Sequence, residues 1–71
     1  MEPSELTNIG SKIRKVRRSK GLSQSELSKN LGISASYLNL LESGRRTITV
    51  PLLIKTGNEL GIPLKDLTLE S

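Results

Sequence analysis

The chain contains no cysteine, no histidine, no phenylalanine and no tryptophan. Without cysteine there is no disulfide framework and no thiolate metal site. Without histidine the commonest general base and the commonest metal ligand are missing. Sequence spacing brings no pair of carboxylates together either, so no enzymatic activity, no metal and no cofactor are expected. Tyr37 is the single aromatic residue. The core must then be Leu, Ile and Val, which favours a helical bundle over a sheet sandwich. Long apolar runs are also missing: VPLLI at 50–54 is far below the roughly 18 residues of a membrane span. The opening residues, MEPSELTN, are acidic and polar, unlike a secretory signal. A cytoplasmic protein without membrane contact is the expectation.

What is present is short and basic. Seventy-one residues make one domain, 1–71. A domain this small buries only about 60% of its unfolded surface. The net charge is +4, and its distribution is uneven. Residues 12–20, KIRKVRRSK, hold six cations and no acid, while the remainder holds five cations and seven acids. One basic element on a nearly neutral scaffold points to a polyanionic partner. A solvated helix face that keeps the protein soluble is the alternative, and charge alone leaves both open.

Gly21, Gly32, Gly44 and Gly61 each follow a stretch of helical spacing and stand where a left-handed residue ends a helix. The first helix is predicted over about 5–20, with Ser4 as N-cap and Leu6, Ile9, Ile13 and Val16 as one apolar stripe. The second is predicted over about 24–31, opened by the capping-box pair Ser23 and Glu26, with Leu27 and Leu31 inward. The third follows over about 35–43, capped by Ser34, with Leu38 and Leu41 as its apolar edge. The fourth starts near Thr49–Pro51 and stops before Gly61, with Leu53 and Leu60 inward. Pro51 disfavours helical angles at Val50, which points to a slightly late start. Gly57 costs that helix about 1 kcal/mol against alanine; close packing against a neighbour is one reason for it, and simple loss of propensity is the other. A final short turn over about 64–68 presents Leu64 and Leu67. No strands or repeats are expected, so the fold class is all-α.

Two helices of eight to nine residues joined by a tight glycine turn, over about 23–43, form a helix-turn-helix. In that unit the first helix crosses the phosphate backbone and the second lies in the major groove. The segment SASYLNLLESGRR fits the second role. Small side chains let a helix approach base edges closely, and arginines past its end can hold flanking phosphates.

Residues 9–67 resemble the lambda-repressor-like (Cro/CI, XRE) DNA-binding domains. The resemblance rests on G-L-S-Q-x-x-L, L-G-I-S, Y-L and L-E-S-G in the family's order and spacing, within IGSKIRKVRRSKGLSQSELSKNLGIS, SYLNLLESGRR and LLIKTGNELGIPLKDL. It implies a compact five-helix domain, DNA reading by the second and third helices, and a symmetric homodimer on a two-fold operator. Thr56 and Gly57 depart from the apolar residue and alanine that the family favours there. The stretch SASYLNLLESGRRTITVPLL is also similar to the DNA-binding end of the short-chain fatty acyl regulators. Their larger members carry a C-terminal sensor region; these residues give ligand sensing no support.

The candidate site residues follow. Ser34, Ala35, Ser36, Asn39 and Leu40 are the candidates for base edges. Asn39 can bond an adenine edge in two places, and Ala35 or Leu40 can meet a thymine methyl. Capping by Ser34, helix propensity at Ala35 and core packing by Leu40 are the competing roles. Gln24, Tyr37, Ser43, Arg45 and Arg46 are the candidates for phosphate contact. Against them stand a solvated first-turn glutamine, a tyrosine covering the core edge and a mobile surface loop. By the resemblance, Arg17 and Glu42 form a partly buried ion pair between helices 1 and 3, leaving Arg14 and Arg18 free to attract DNA. Sequence-specific binding of double-stranded DNA by a transcriptional regulator is the leading function. A protein-binding module on the same fold, such as an antitoxin or adaptor, is the alternative. Ile62 and Leu64 are candidates for a dimer surface.

Overall fold

The computed structural model describes residues 3–63 and 66–67. Four helices follow in chain order: α1 (Pro3–Ser19), α2 (Gln24–Leu31), α3 (Ala35–Glu42) and α4 (Val50–Leu60). No strand occurs among the described residues. Helix α3 packs against α1 and α2, and α4 packs against α2 and α1. The fifth element expected over 64–68 falls largely outside the described residues. Leu64 is among those not described, whereas Leu67 is helical and buried.

Local chemistry sets each boundary. Helix α1 begins at Pro3, so Ser4 lies inside the first turn and not ahead of it. The fixed φ of proline suits a first turn, where its missing N–H has no helical partner anyway. Helix α2 opens on a reciprocal capping box. The Ser23 hydroxyl accepts from the Glu26 N–H at 3.0 Å, and the Glu26 carboxylate accepts from the Ser23 N–H at 2.8 Å. Helix α3 opens on Ser34, whose Oγ accepts from the Tyr37 N–H at 3.0 Å. Helix α4 does not start late: Thr49 caps it through the Leu52 N–H at 3.4 Å, and Val50 is already helical. The cap holds the first turn against the bias that Pro51 places on Val50.

Helix α3 ends one residue earlier than its spacing indicates, with Ser43 as C-cap. Gly44 follows at φ 79°, a backbone region costly for any residue with a Cβ. That conformation returns the Arg45 N–H to the Leu40 carbonyl at 2.9 Å and the Gly44 N–H to the Leu41 carbonyl at 3.3 Å. This is a Schellman turn, and it throws Arg45 and Arg46 outward at the helix end. Both are exposed.

The core is Ile13, Leu27, Leu31, Leu38, Leu53, Leu60 and Leu67, with Leu41 also buried. Val16 differs from its expected place: it is half-buried and packs on the core's rim. Thr56 is buried, and its hydroxyl donates to the Leu52 carbonyl at 2.8 Å, so the departure from an apolar residue leaves no unpaired polar atom. At Gly57 a Cβ would stand 3.3 Å from the Ile62 carbonyl oxygen and 3.8 Å from Leu67 Cδ1, which makes close packing its role. Gly10 has a larger role that its position in the sequence does not announce. It is buried where α1 meets α3, and a Cβ there would collide with the Leu41 carbonyl oxygen and lie 3.0 Å from that of Glu42. Lys55 of α4 donates to the Leu31 carbonyl at 3.2 Å, tying α4 to the end of α2 beside the turn that leads into α3.

Candidate nucleic-acid interface

Helix α3 has two unlike faces. Leu38, Leu41 and Glu42 are buried against α1 and α2. Ser34, Ser36, Asn39 and Ser43 are exposed, and Ala35, Tyr37 and Leu40 are half-buried at the borders. The base-edge candidates Ser34, Ser36 and Asn39 thus share the outward side, and Arg45 and Arg46 stand exposed just past its end. The Ser34 hydroxyl is engaged as the cap, while the Ser43 hydroxyl donates to the Leu40 carbonyl at 3.2 Å.

A buried ionic cluster holds that face in place. Glu42 is 2% exposed and Arg17 is 6% exposed. The Arg17 guanidinium meets both carboxylate oxygens, Nε to Oε2 at 2.7 Å and Nη2 to Oε1 at 3.1 Å. Its Nη1 donates to the Leu22 carbonyl at 2.7 Å, so one side chain clamps α1, the α1–α2 loop and α3. The pair is buried more deeply than the partial burial expected. Arg14 is not free as expected: its Nε lies 3.4 Å from Glu42 Oε1. Arg18 is exposed, and with Ser11, Arg14 and Lys15 it lines a shallow groove on one side of α1.

Gln24 completes the cluster. Its Nε2 donates to Glu42 Oε1 at 3.1 Å and to Asn39 Oδ1 at 3.2 Å. The residue considered for phosphate contact is therefore half-buried and bridges α2 to α3. The i, i+15 relation between Gln24 and Asn39 leaves no periodic signal in the sequence, so nothing in spacing could reveal it. Ile62, considered for a dimer surface, packs against the core; the large apolar side chains exposed among the described residues are Val50 and Ile54, at 65% and 46%. No described group of His, Cys, Asp or Glu is arranged to hold a metal ion, and no described helix is long and apolar enough to cross a membrane.

Burial raises the Glu42 carboxyl's pKa and is the largest single influence on it. The hydrogen bonds from Arg17, Gln24 and Arg14 and the Arg17 charge together outweigh it, leaving the pKa below the ordinary 4.5. The Glu26 carboxyl is lowered as well, by its bonds to the Ser23 backbone and side chain. A folded-state pKa below the unfolded value stabilises the fold fully above the unfolded pKa, and that contribution is lost as pH falls through the folded one. Thermal midpoints are therefore expected to hold from neutral pH down to about 4.5 and to fall below it. Glu42→Gln should flatten that acid limb while lowering the plateau. Thermal unfolding followed by circular dichroism across pH 3–7 measures both.

The fold and this surface define a helix-turn-helix unit with an outward second helix. The helix-turn-helix family model matches residues 13–67. Among curated proteins, the transcriptional regulator PrpR of Mycobacterium tuberculosis is 47% identical over 48 residues, covering 68% of this chain and 10% of PrpR. An uncharacterised HTH-type transcriptional regulator of Sinorhizobium fredii, y4dJ, is 43% identical over 54 residues, covering 76% of this chain and 70% of y4dJ. Among solved structures, the restriction-modification controller protein C.AhdI of Aeromonas hydrophila superposes with a TM-score of 0.84 at 31% identity, covering 90% of this chain and 97% of that one. SinR, a master regulator for biofilm formation solved in complex with DNA, superposes at 0.77 with 32% identity, covering 83% and 95%. The chain belongs to the helix-turn-helix family of Cro/CI (XRE) type, whose members are DNA-binding transcription regulators. It spans about a tenth of the length of PrpR.

Proposed function

We propose that the chain binds double-stranded DNA sequence-specifically, with α3 in the major groove, as a transcriptional regulator. One observation carries this: α3 turns Ser34, Ser36 and Asn39 to solvent and ends in a turn that projects Arg45 and Arg46 beside them. A groove about 12 Å wide admits a helix with short outward side chains. Ser34, Ala35, Ser36, Asn39 and Leu40 read bases; Tyr37, Ser43, Arg45 and Arg46 contact the phosphates on either side. Gln24 meets a phosphate only with the edge that its bonds to Glu42 and Asn39 leave open. The chain acts as a single domain with a fifth short helix after α4, in the cytoplasm, without enzymatic activity. It binds as a homodimer, placing two α3 helices in half-sites about 34–36 Å apart on a two-fold operator. The exposed Val50 and Ile54, four residues apart on α4, support a contact between copies there.

Selection of bound duplexes from a random library tests the proposal. A recurring two-fold sequence is expected, bound with an affinity that falls steeply as salt rises. Arg45→Ala should weaken the selected and a scrambled duplex alike and reduce the salt slope by about 1. Asn39→Ala should weaken only the selected duplex, by about 1–3 kcal/mol. Equal losses on both duplexes would remove Asn39 from the reading residues. Recovery of no preferred sequence would refute specific reading.

A further inference from the structure

We propose that the buried ion pair fixes the hydrogen-bond polarity with which α3 meets DNA, so that Asn39 offers a donor, not an acceptor, to the base edge. The inference rests on the assignment of α3 to DNA reading and adds the class of base edge that one position takes. It begins at Glu42. An ionised carboxylate only accepts hydrogen bonds, and Arg17 and Arg14 already donate to this one. The Gln24 side chain meets the same Oε1 at 3.1 Å. It must turn its NH2 there, because its carbonyl would set oxygen against oxygen. That NH2 carries two hydrogens. The second is directed to the Asn39 amide at 3.2 Å, and a donor there requires Asn39 to turn its oxygen inward. The Asn39 NH2 is then left facing outward from an exposed residue.

Amide orientation is ordinarily a free choice, since the two ends of the group are alike in shape. Here the chemistry of the partners removes the choice. Flipping Asn39 would break the Gln24 bond and oppose two NH2 groups. Polarity thus passes from a buried charge through two amides to the protein surface. In the major groove guanine presents O6 and N7 as acceptors and thymine presents O4, whereas cytosine presents only a donor. Adenine presents N7 as an acceptor too, so an outward NH2 finds a partner on guanine, thymine and adenine and none on cytosine. The fixed polarity therefore selects against cytosine at this position and leaves adenine, guanine and thymine open.

Random-duplex selection with four proteins tests this. Asn39→Ala locates the base position that residue 39 reads, as the one whose preference disappears. At that position the unaltered chain is expected to deplete cytosine relative to the other three bases, on the order of tenfold. Gln24→Met, similar in size and without donors, should release the Asn39 amide to turn its oxygen outward and admit cytosine there. Its thermal transition shows whether it is folded. Should it fail to fold, Gln24→Ala carries the test, since it removes the same donor to Asn39 with a smaller side chain. Enrichment of cytosine by the unaltered chain, a folded Gln24 variant with an unchanged profile, or an Asn39→Ala that alters no position would each overturn the proposal. Binding to no duplex at all would instead overturn the DNA-reading assignment beneath it, so the two failures are told apart.

Discussion

Glu42→Ala is expected to destabilise the domain by about 3–5 kcal/mol. The cause is less the loss of a favourable pair than what remains behind. Arg17, whose side chain is 7% exposed, would keep its charge beside an empty site, and Gln24 would lose the acceptor that orients it. Native chains are stable by roughly 0.05–0.15 kcal/mol per residue, so such a loss would remove about a third or more of the stability of a 71-residue chain. Chemical denaturation of the variant gives the number directly. The double variant Arg17→Met, Glu42→Leu separates the two contributions. Replacing both charges by apolar groups is often neutral or stabilising, so the double variant should recover most of the lost stability. A double variant as unstable as Glu42→Ala would place the effect elsewhere than in the stranded charge.

Gly10→Ala is the second large effect. Alanine favours a helix interior by about 1 kcal/mol over glycine, so on propensity alone the substitution would stabilise α1. Packing reverses the sign. The new Cβ would fall on the Leu41 carbonyl and close to that of Glu42, and these are backbone atoms at the end of α3 that no rotamer change can move. Overpacking of this kind costs about 1–3 kcal/mol and occasionally more; the upper end is expected here. Moving α1 off α3 also stretches the Arg17–Glu42 contact, so the variant should lose DNA affinity even where it stays folded. Gly57→Ala is the control, because its nearest neighbour would stand 3.3 Å away. It should cost far less in the same thermal assay. Equal midpoints for the two variants would contradict the close approach assigned to Gly10.

These variants also mark where the sequence is legible and where it is not. Ser23, Glu26, Ser34 and Gly44 act on residues at most four positions away, so their roles follow from local spacing and turn chemistry. Leu27, Leu31, Leu38 and Leu41 follow from helical period in the same way. Val50 shows the limit of local rules: the Thr49 cap overrides the bias that Pro51 alone imposes. Gly10, Arg14 and the Gln24–Asn39 bridge are illegible for another reason. Each depends on how two helices distant in sequence cross, and neither period nor capping carries that information. Arg17 and Glu42 belong to the same through-space class; only the resemblance to a known family gave a reason to consider them together. The outward face of α3 lies between these cases. Its small and polar residues can be read from the sequence, but the polarity that Asn39 presents is set by a carboxylate buried behind it.

The central claim, that the outer face of α3 enters the groove of DNA, is tested most directly by titrating a selected duplex into isotopically labelled protein and following backbone and side-chain amide signals. The largest changes are expected at Ser34, Ser36, Asn39, Arg45 and Arg46, with the Asn39 side-chain amide among the first to shift. Saturable binding that leaves the signals of Ser36 and Asn39 where they were would contradict it.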